Sequence, residues 1–280
     1  MGFERFLDEL LSLHAAGPAR LPANLVVLPR IGSTNALGRR IAREYFAEAQ
    51  SPPPVLLVAW EQTAGRGRRG RTWTSPPGRG VYASLLTPLP AADDLHTLPL
   101  LAAIGLCRAA NRHLPGGGLR CRLKWPNDLL LIDDRGGRKL GGLLIESERG
   151  EEGTAAAVIG FGVNHRPAPE VEAEAATGGR GGRVAALAAE SLKPPSLAEL
   201  VRDLGAALVA ELDHLGDETY AAREYQALSA HRPGDTLRCR DGERTVEGVF
   251  LGFDRRGFLR LRPVAGGGGE LRLAAGEVLA

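Results

Sequence analysis

Residues 62–73 read Q-T-A-G-R-G-R-R-G-R-T-W and lie between two continuous apolar runs of strand length, Val55–Trp60 and Val81–Thr87. Three glycines and four arginines in this short stretch suit neither a helix interior nor a buried strand, so the fold must carry a basic loop between two strands that are buried on both faces. Gly65, Gly67 and Gly70 formally satisfy G-x-G-x-x-G after a strand. That fingerprint needs a helix immediately afterwards to hold the pyrophosphate, whereas Thr72 to Gly78 contains Pro76 and Pro77 and cannot open one cleanly. The same residues are one substitution from a P-loop, with Arg71 in place of lysine, and fail for the same reason. What remains is a loop that wraps an anion, with backbone N–H groups freed by glycine and forked donors from Arg66, Arg68, Arg69 and Arg71. Mutual repulsion among these charges predicts a mobile loop that orders when a polyanion neutralises it. A solvated basic loop touching nucleic acid is the alternative for the arginines taken alone.

The anion site has to be local, because 35 basic side chains against 33 acidic ones leave a net charge of only +2. Glu4, Asp8 and Glu9 make the segment Met1–Gly17 an amphipathic helix and not a secretory signal, and Phe6 stands where a myristoylation signal wants Ser or Thr. No window approaches the ~20 apolar residues of a membrane span, and a cytoplasmic protein is expected. Cys107, Cys121 and Cys239 are odd in number and lack Cys-x-x-Cys spacing, and the histidines are scattered, so neither a disulfide framework nor a structural metal is expected.

Gly17, Pro18 and Pro22 mark a linker, followed by a strand at Asn24–Leu28 and a helix from the N-cap triplet Ser33-Thr34-Asn35 to about Gln50. A buried helix is expected over Thr97–Ala110. Strands are expected at Leu119–Lys124, Leu129–Ile132, Leu140–Glu146 and Ala155–Val163, with a turn over Asp133–Gly137. The Ala, Gly and Glu stretch from Pro167 through Gly182 reads as a mobile surface connection, with helices following from Arg183 and from Ser196, which forms a capping box with Glu199. From His231 short alternating runs, Thr245–Phe250 and Phe258–Leu261 among them, are broken by Gly242, Gly252, Gly257 and Gly266–Gly269, the pattern of a small β-barrel. The expected organisation is an N-terminal helix and linker (1–22), a large domain (23–230) and a C-terminal domain (231–280), without internal repeats. Gly160, Gly162 and Asn164 share one face of their strand, which can lie flat against a ring system or simply allow close strand packing.

Ser33-Thr34-Asn35, the 62–73 loop, Lys124-Trp125-Pro126-Asn127-Asp128, Arg138-Lys139-Leu140-Gly141-Gly142 and Gly160-Phe161-Gly162-Val163-Asn164 occur in this order. Together they closely resemble the biotin protein ligases, strongly over Asn24–Asn164 and more weakly to the end. The resemblance implies an α+β fold: a mixed-sheet catalytic domain flanked by helices, related to class II aminoacyl-tRNA synthetases and lipoate ligases, with a small SH3-like C-terminal barrel. It implies biotin and ATP as substrates with Mg²⁺, biotinyl-5'-AMP as the intermediate, and transfer of biotin to a lysine of a biotin carboxyl carrier protein. A homodimer is compatible with it. Lys139, Arg68 and Asp128 become the catalytic candidates, with Asp128 the candidate magnesium ligand. Ser33, Thr34 and Asn35 are matched to the biotin ureido group. Gln62, Gly65, Arg66, Gly67, Arg69, Arg71 and Trp73 belong to the wrapping loop, and Lys124, Asn127, Gly141, Gly142, Gly160, Gly162 and Asn164 complete the binding set. Attack of biotin carboxylate on the α-phosphorus, then of a lysine on the acyl-adenylate, needs no protein nucleophile, in keeping with the lack of G-x-S-x-G. Lipoate or octanoyl transfer is the nearest alternative. A DNA-binding biotin repressor is disfavoured, because one helix followed by prolines does not make a winged helix before Ser33.

Overall fold

A computed structural model describes residues 2–17, 21–89, 95–134, 136–177, 183–264 and 269–279. Pro18, Gly182 and Gly266 to Gly268 lie outside the described residues. The chain runs α1 (Phe3–Ala15), β1 (Asn24–Leu28), α2 (Thr34–Ala47), β2 (Val55–Ala59), β3 (Gly80–Leu89), α3 (Leu98–Arg112), β4 (Arg120–Lys124), β5 (Asp128–Asp133), β6 (Gly136–Arg149) and β7 (Ala155–Asn164). Then come α4 (Pro169–Thr177), α5 (Leu187–Glu190), α6 (Leu197–Glu211), α7 (Glu218–Leu228), β8 (Thr236–Asp241), β9 (Arg244–Phe253), β10 (Leu259–Pro263), β11 (Leu271–Leu273) and β12 (Glu277–Val278).

Seven strands form one mixed sheet in the order β1-β2-β3-β7-β6-β5-β4, parallel between β1 and β2 and antiparallel elsewhere. The parallel step requires a crossover, and α2 supplies it. β7 is buried at every position, as a central strand covered on both faces must be. On one face Ala42 of α2 packs with Leu57, Leu86 and Val158; on the other, Leu56, Val58, Leu85 and Ile159 join the core formed with α1, α3 and α6. Helix α3 is apolar nearly all round because it lies inside that second layer.

The last five strands make a separate antiparallel sheet, β11-β10-β9-β8-β12. It abuts the turn after β4 through Trp125, whose indole N–H donates to Gly257 O at 3.2 Å, and α7 through Phe253 set edge-on to Tyr225 at 5.0 Å.

Two local expectations change. Pro169–Thr177 is a helix and not a bare connection. The segment starting at Arg183 is extended: Lys139 N donates to Arg183 O and Ala185 N to Lys139 O, each at 2.8 Å. The reason is an open edge, since β7 pairs with β6 only from Gly141 onward and leaves the β6 residues before it free to take a backbone partner. Helix α5 therefore begins only at Leu187. The helix α7, not singled out in the sequence, is capped by Asp217, whose side chain accepts from Tyr220 N.

Candidate active site

The site lies on the sheet face that carries α2, where the helix begins and its cover ends. Side chains alternate along β7, so Val158 under α2 puts Gly160, Gly162 and Asn164 on the same face. Across the sheet, Ser84, Gly160 and Leu144 form one row and Tyr82, Gly162 and Gly142 the next. A Cβ on Gly160 would stand 1.9 Å from Asn35 Oδ1, and one on Gly162 would stand 2.4 Å from Cε2 and Nε1 of Trp73. The glycines do leave a flat face, and the groups lying on it are the protein's own amide and indole.

At the α2 end the polar groups form a closed corner. Gln62 Oε1 accepts from Thr34 N at 2.9 Å and Thr34 Oγ1 at 3.2 Å. Ser84 Oγ is 2.7 Å from Thr34 Oγ1 and 2.6 Å from Asn35 Oδ1, and its single proton serves one at a time. Asn35 Nδ2 donates to Leu144 O at 3.1 Å and to Glu146 Oε2 at 2.9 Å. Ser33 is the N-cap, accepting from Ala36 N.

The basic loop is folded as a hairpin over this face. Trp73 N donates to Gly65 O at 2.9 Å and Gly67 N to Arg71 O at 2.7 Å, with the turn made by Arg69 (φ 57) and Gly70 (φ 71). Arg66 Nη2 donates to Glu146 Oε2 at 2.8 Å, and Arg71 grips both oxygens of Glu277 at 3.1 and 2.8 Å, with Arg69 at 3.9 Å from the same carboxylate. Arg68 instead donates to a neutral partner, Asn127 Oδ1, at 3.1 Å. Burial, then the neighbouring Arg69, pull the Arg68 pKa below the ordinary guanidinium value, with Asp128 opposing. Two carboxylates from distant strands thus offset part of the charge of the loop. Arg68 is the loop cation aimed at the cleft with no carboxylate hydrogen-bonded to it among the described residues.

Facing it, Lys139 Nζ pairs with Asp128 Oδ1 at 2.8 Å and lies 5.5 Å from the centre of the Trp73 ring. Both partners are partly open to solvent, 37% and 25% exposed. Gly142 makes room for the pair: a Cβ there would be 3.3 Å from Asp128 Oδ1. Asn127 Nδ2 donates to Leu143 O at 2.8 Å, which turns its oxygen toward Arg68. Trp125 and Pro126, to which the sequence assigned no chemistry, line the same cleft.

Not every sequence candidate reaches it. Lys124 is not among the lining residues and acts on His231 and Cys239 on the side of the second sheet. Gly65 and Gly141 are close-packing positions, 2.3 Å from Trp73 O and 2.5 Å from Gly162 O for an added Cβ. Asn164 Nδ2 donates to Ala185 O at 3.1 Å and lines a second hollow with Arg79, Tyr82, Arg166, Val171 and Val184, one step along β7 from Gly162. Ser84, Glu146 and Glu277 were missed. Ser84, a small polar residue inside an otherwise buried strand, carried a signal; the two glutamates carried none.

Residues 27–164 match the Biotin/lipoate A/B protein ligase family. The biotin–[acetyl-CoA-carboxylase] ligase of Paracoccus denitrificans is 32% identical over 240 residues, 86% of this chain and 95% of that protein. The Escherichia coli K12 bifunctional ligase/repressor BirA is 35% identical over 266 residues, 90% of this chain and 75% of its own length. A solved structure of a biotin protein ligase from Aquifex aeolicus in complex with biotin and ATP has a TM-score of 0.68 at 23% identity, covering 91% of this chain and 97% of that one.

Proposed function

The chain belongs to the biotin/lipoate A/B protein ligase family, and from that premise we infer that it is a biotin protein ligase, forming biotinyl-5'-AMP from biotin and ATP and transferring biotin to a carrier lysine. The observation that carries the site assignment is convergence: Arg68 from the hairpin and the Lys139–Asp128 pair from the sheet meet at one end of a cleft whose other end is the Asn35 corner. Biotin's ureido ring belongs at the corner of donors and acceptors, and its carboxylate at Lys139. The nucleoside then continues along β7 into the hollow at Asn164 and Val184.

In the first step a carboxylate oxygen attacks the α-phosphorus and pyrophosphate departs; in the second the carrier amine attacks the acyl carbon and AMP departs. Lys139 and Arg68 hold the carboxylate and phosphate together and offset the charge that develops, each charge-assisted contact contributing about 1.5–3 kcal/mol. The hairpin, with Trp73 against Gly162, keeps water from the mixed anhydride. Magnesium fits as an ion carried by phosphate. No group of three or more ligating side chains exists among the described residues, so Asp128 would be the protein's donor and phosphate oxygens and water the others. When bound, it would supply further charge on the phosphate.

We read the large sheet as the class II synthetase-like fold and the five-stranded sheet (231–280) as SH3-like, with the catalytic domain over 23–230 and an N-terminal helix and linker over 1–22. The acceptor is a biotin carboxyl carrier protein in the cytoplasm, and a homodimer is compatible with this reading. Direct DNA binding is not part of this reading: α1 packs Phe6 and Leu10 into the core and carries the acidic Glu4 and Asp8 on its exposed side, where they would repel phosphate. No helix is long and apolar enough to cross a membrane among the described residues. Incubation with biotin, α-labelled ATP and a biotin carboxyl carrier domain should give labelled adenylate and protein-bound biotin. Activation of lipoate or octanoate in preference to biotin would overturn the substrate assignment.

A further inference from the structure

Glu146 stands outside the cleft lining, yet it holds two residues that line it, Arg66 of the basic hairpin and Asn35 at the start of α2. Its Oε2 accepts from Asn35 Nδ2 at 2.9 Å and from Arg66 Nη2 at 2.8 Å, while Oε1 accepts from Arg39 Nη1 at 3.0 Å. The carboxylate is mostly enclosed, 19% exposed, so its partners share a site where charge is less screened than on an open surface. We propose that Glu146 is a positioning residue that couples the seating of the basic hairpin to the orientation of the Asn35 amide. The proposal rests on the biotin ligase reading for what that amide does.

The chemistry of the Asn35 amide makes the coupling directional. Its nitrogen faces two acceptors, Leu144 O and Glu146 Oε2, so a flipped amide would set an oxygen against both. Oδ1 is thereby turned toward Ser84 and over Gly160. Lifting the hairpin withdraws Arg66 and leaves the carboxylate with Arg39 and Asn35, which strengthens its pull on the Asn35 N–H. Whatever engages the Asn35 amide must in turn alter how firmly Glu146 holds Arg66, because coupling between two sites is reciprocal. A surface ion pair with no such role would affect neither end.

The first test needs no ligand. In the free protein, Arg66→Ala should shift the side-chain amide resonances of Asn35, assigned through Asn35→Asp, although Asn35 has no direct hydrogen bond to Arg66; unmoved resonances would overturn the proposal. The second is kinetic. Glu146→Gln, which keeps an acceptor but removes the charge, should raise the KM for biotin about ten- to a hundredfold and the KM for ATP less. Combined with Arg66→Ala, it should raise the biotin KM by less than the product of the single effects. Multiplicative effects, or a lowered melting temperature with an unchanged biotin KM, would overturn it. Glu146→Asp, too short to reach both partners, should lie between wild type and Glu146→Gln and serves if the glutamine variant folds poorly. Failure of the wild-type protein to make adenylate would instead count against the functional reading, and the resonance test would still stand.

Discussion

Gly162→Ala is the sharpest perturbation of the site, because it adds a single methyl group where the indole of Trp73 rests. The added Cβ would lie 2.4 Å from two ring atoms, against about 3.4 Å for an ordinary contact, so the ring must retreat by about 1 Å. Gly162 has no left-handed φ, so the strand itself is not strained. Overpacking of this kind costs about 1–3 kcal/mol where the neighbours cannot move. Here they can: Trp73 Nε1 is buried without a hydrogen-bond partner among the described residues, and an indole pushed toward solvent recovers a water for that donor. Stability should therefore fall little, by a few degrees at most in melting temperature. Activity should fall more, because Trp73 N is bonded to Gly65 O and displacement of the ring carries the hairpin with it, moving Arg68 off Asn127. The expected result is a loss of about tenfold or more in kcat/KM for adenylate formation, with tryptophan emission shifted to the red. Gly32→Ala, where an added Cβ meets nothing within 4 Å, is the control and should be neutral in both assays. Wild-type kcat/KM together with unchanged emission in Gly162→Ala would refute the idea that the glycine seats the indole.

Lys139→Ala should slow pyrophosphate release about ten- to a hundredfold, since a charge-assisted contact at the reacting end is lost and Asp128 is left without its cation; wild-type rates would remove Lys139 from the mechanism. Glu277→Gln should speed amide exchange across 66–72 about two- to fivefold, a modest effect because Arg71 is half exposed; unaltered exchange would mean that the contact with β12 does not hold the hairpin. Burial depresses the pKa of His165 and His231 below the usual 6.5, so the folded protein keeps them neutral while the unfolded chain takes up protons. Stability should be constant above about pH 6.5 and decline as the pH falls below it, and His165→Gln should flatten that decline in denaturant titrations; an identical slope in the variant would exclude His165 as a source.

Strand positions were legible because their cause is local. The runs at Val55 and Ala155 are apolar at every residue and became β2 and β7, two strands covered on both faces. The Ser33 cap and the Ser196–Glu199 box fixed their helix starts for the same reason. The extended segment at Arg183 was not legible, because it follows from an edge of β6 that β7 leaves open, a property of the assembled sheet. The basic loop divides along the same line. Its glycines and arginines announce a wrap around something, but the charges that hold Arg66 and Arg71 come from glutamates 80 and 206 positions away in the chain. Four neighbouring guanidinium groups read in isolation predict repulsion; all four line the cleft, and the partners that hold them are Glu146 for Arg66, the neutral amide of Asn127 for Arg68, and Glu277 for Arg69 and Arg71. Which arginine is held by a carboxylate and which by an amide depends on residues far away in the chain, and only the fold decides that.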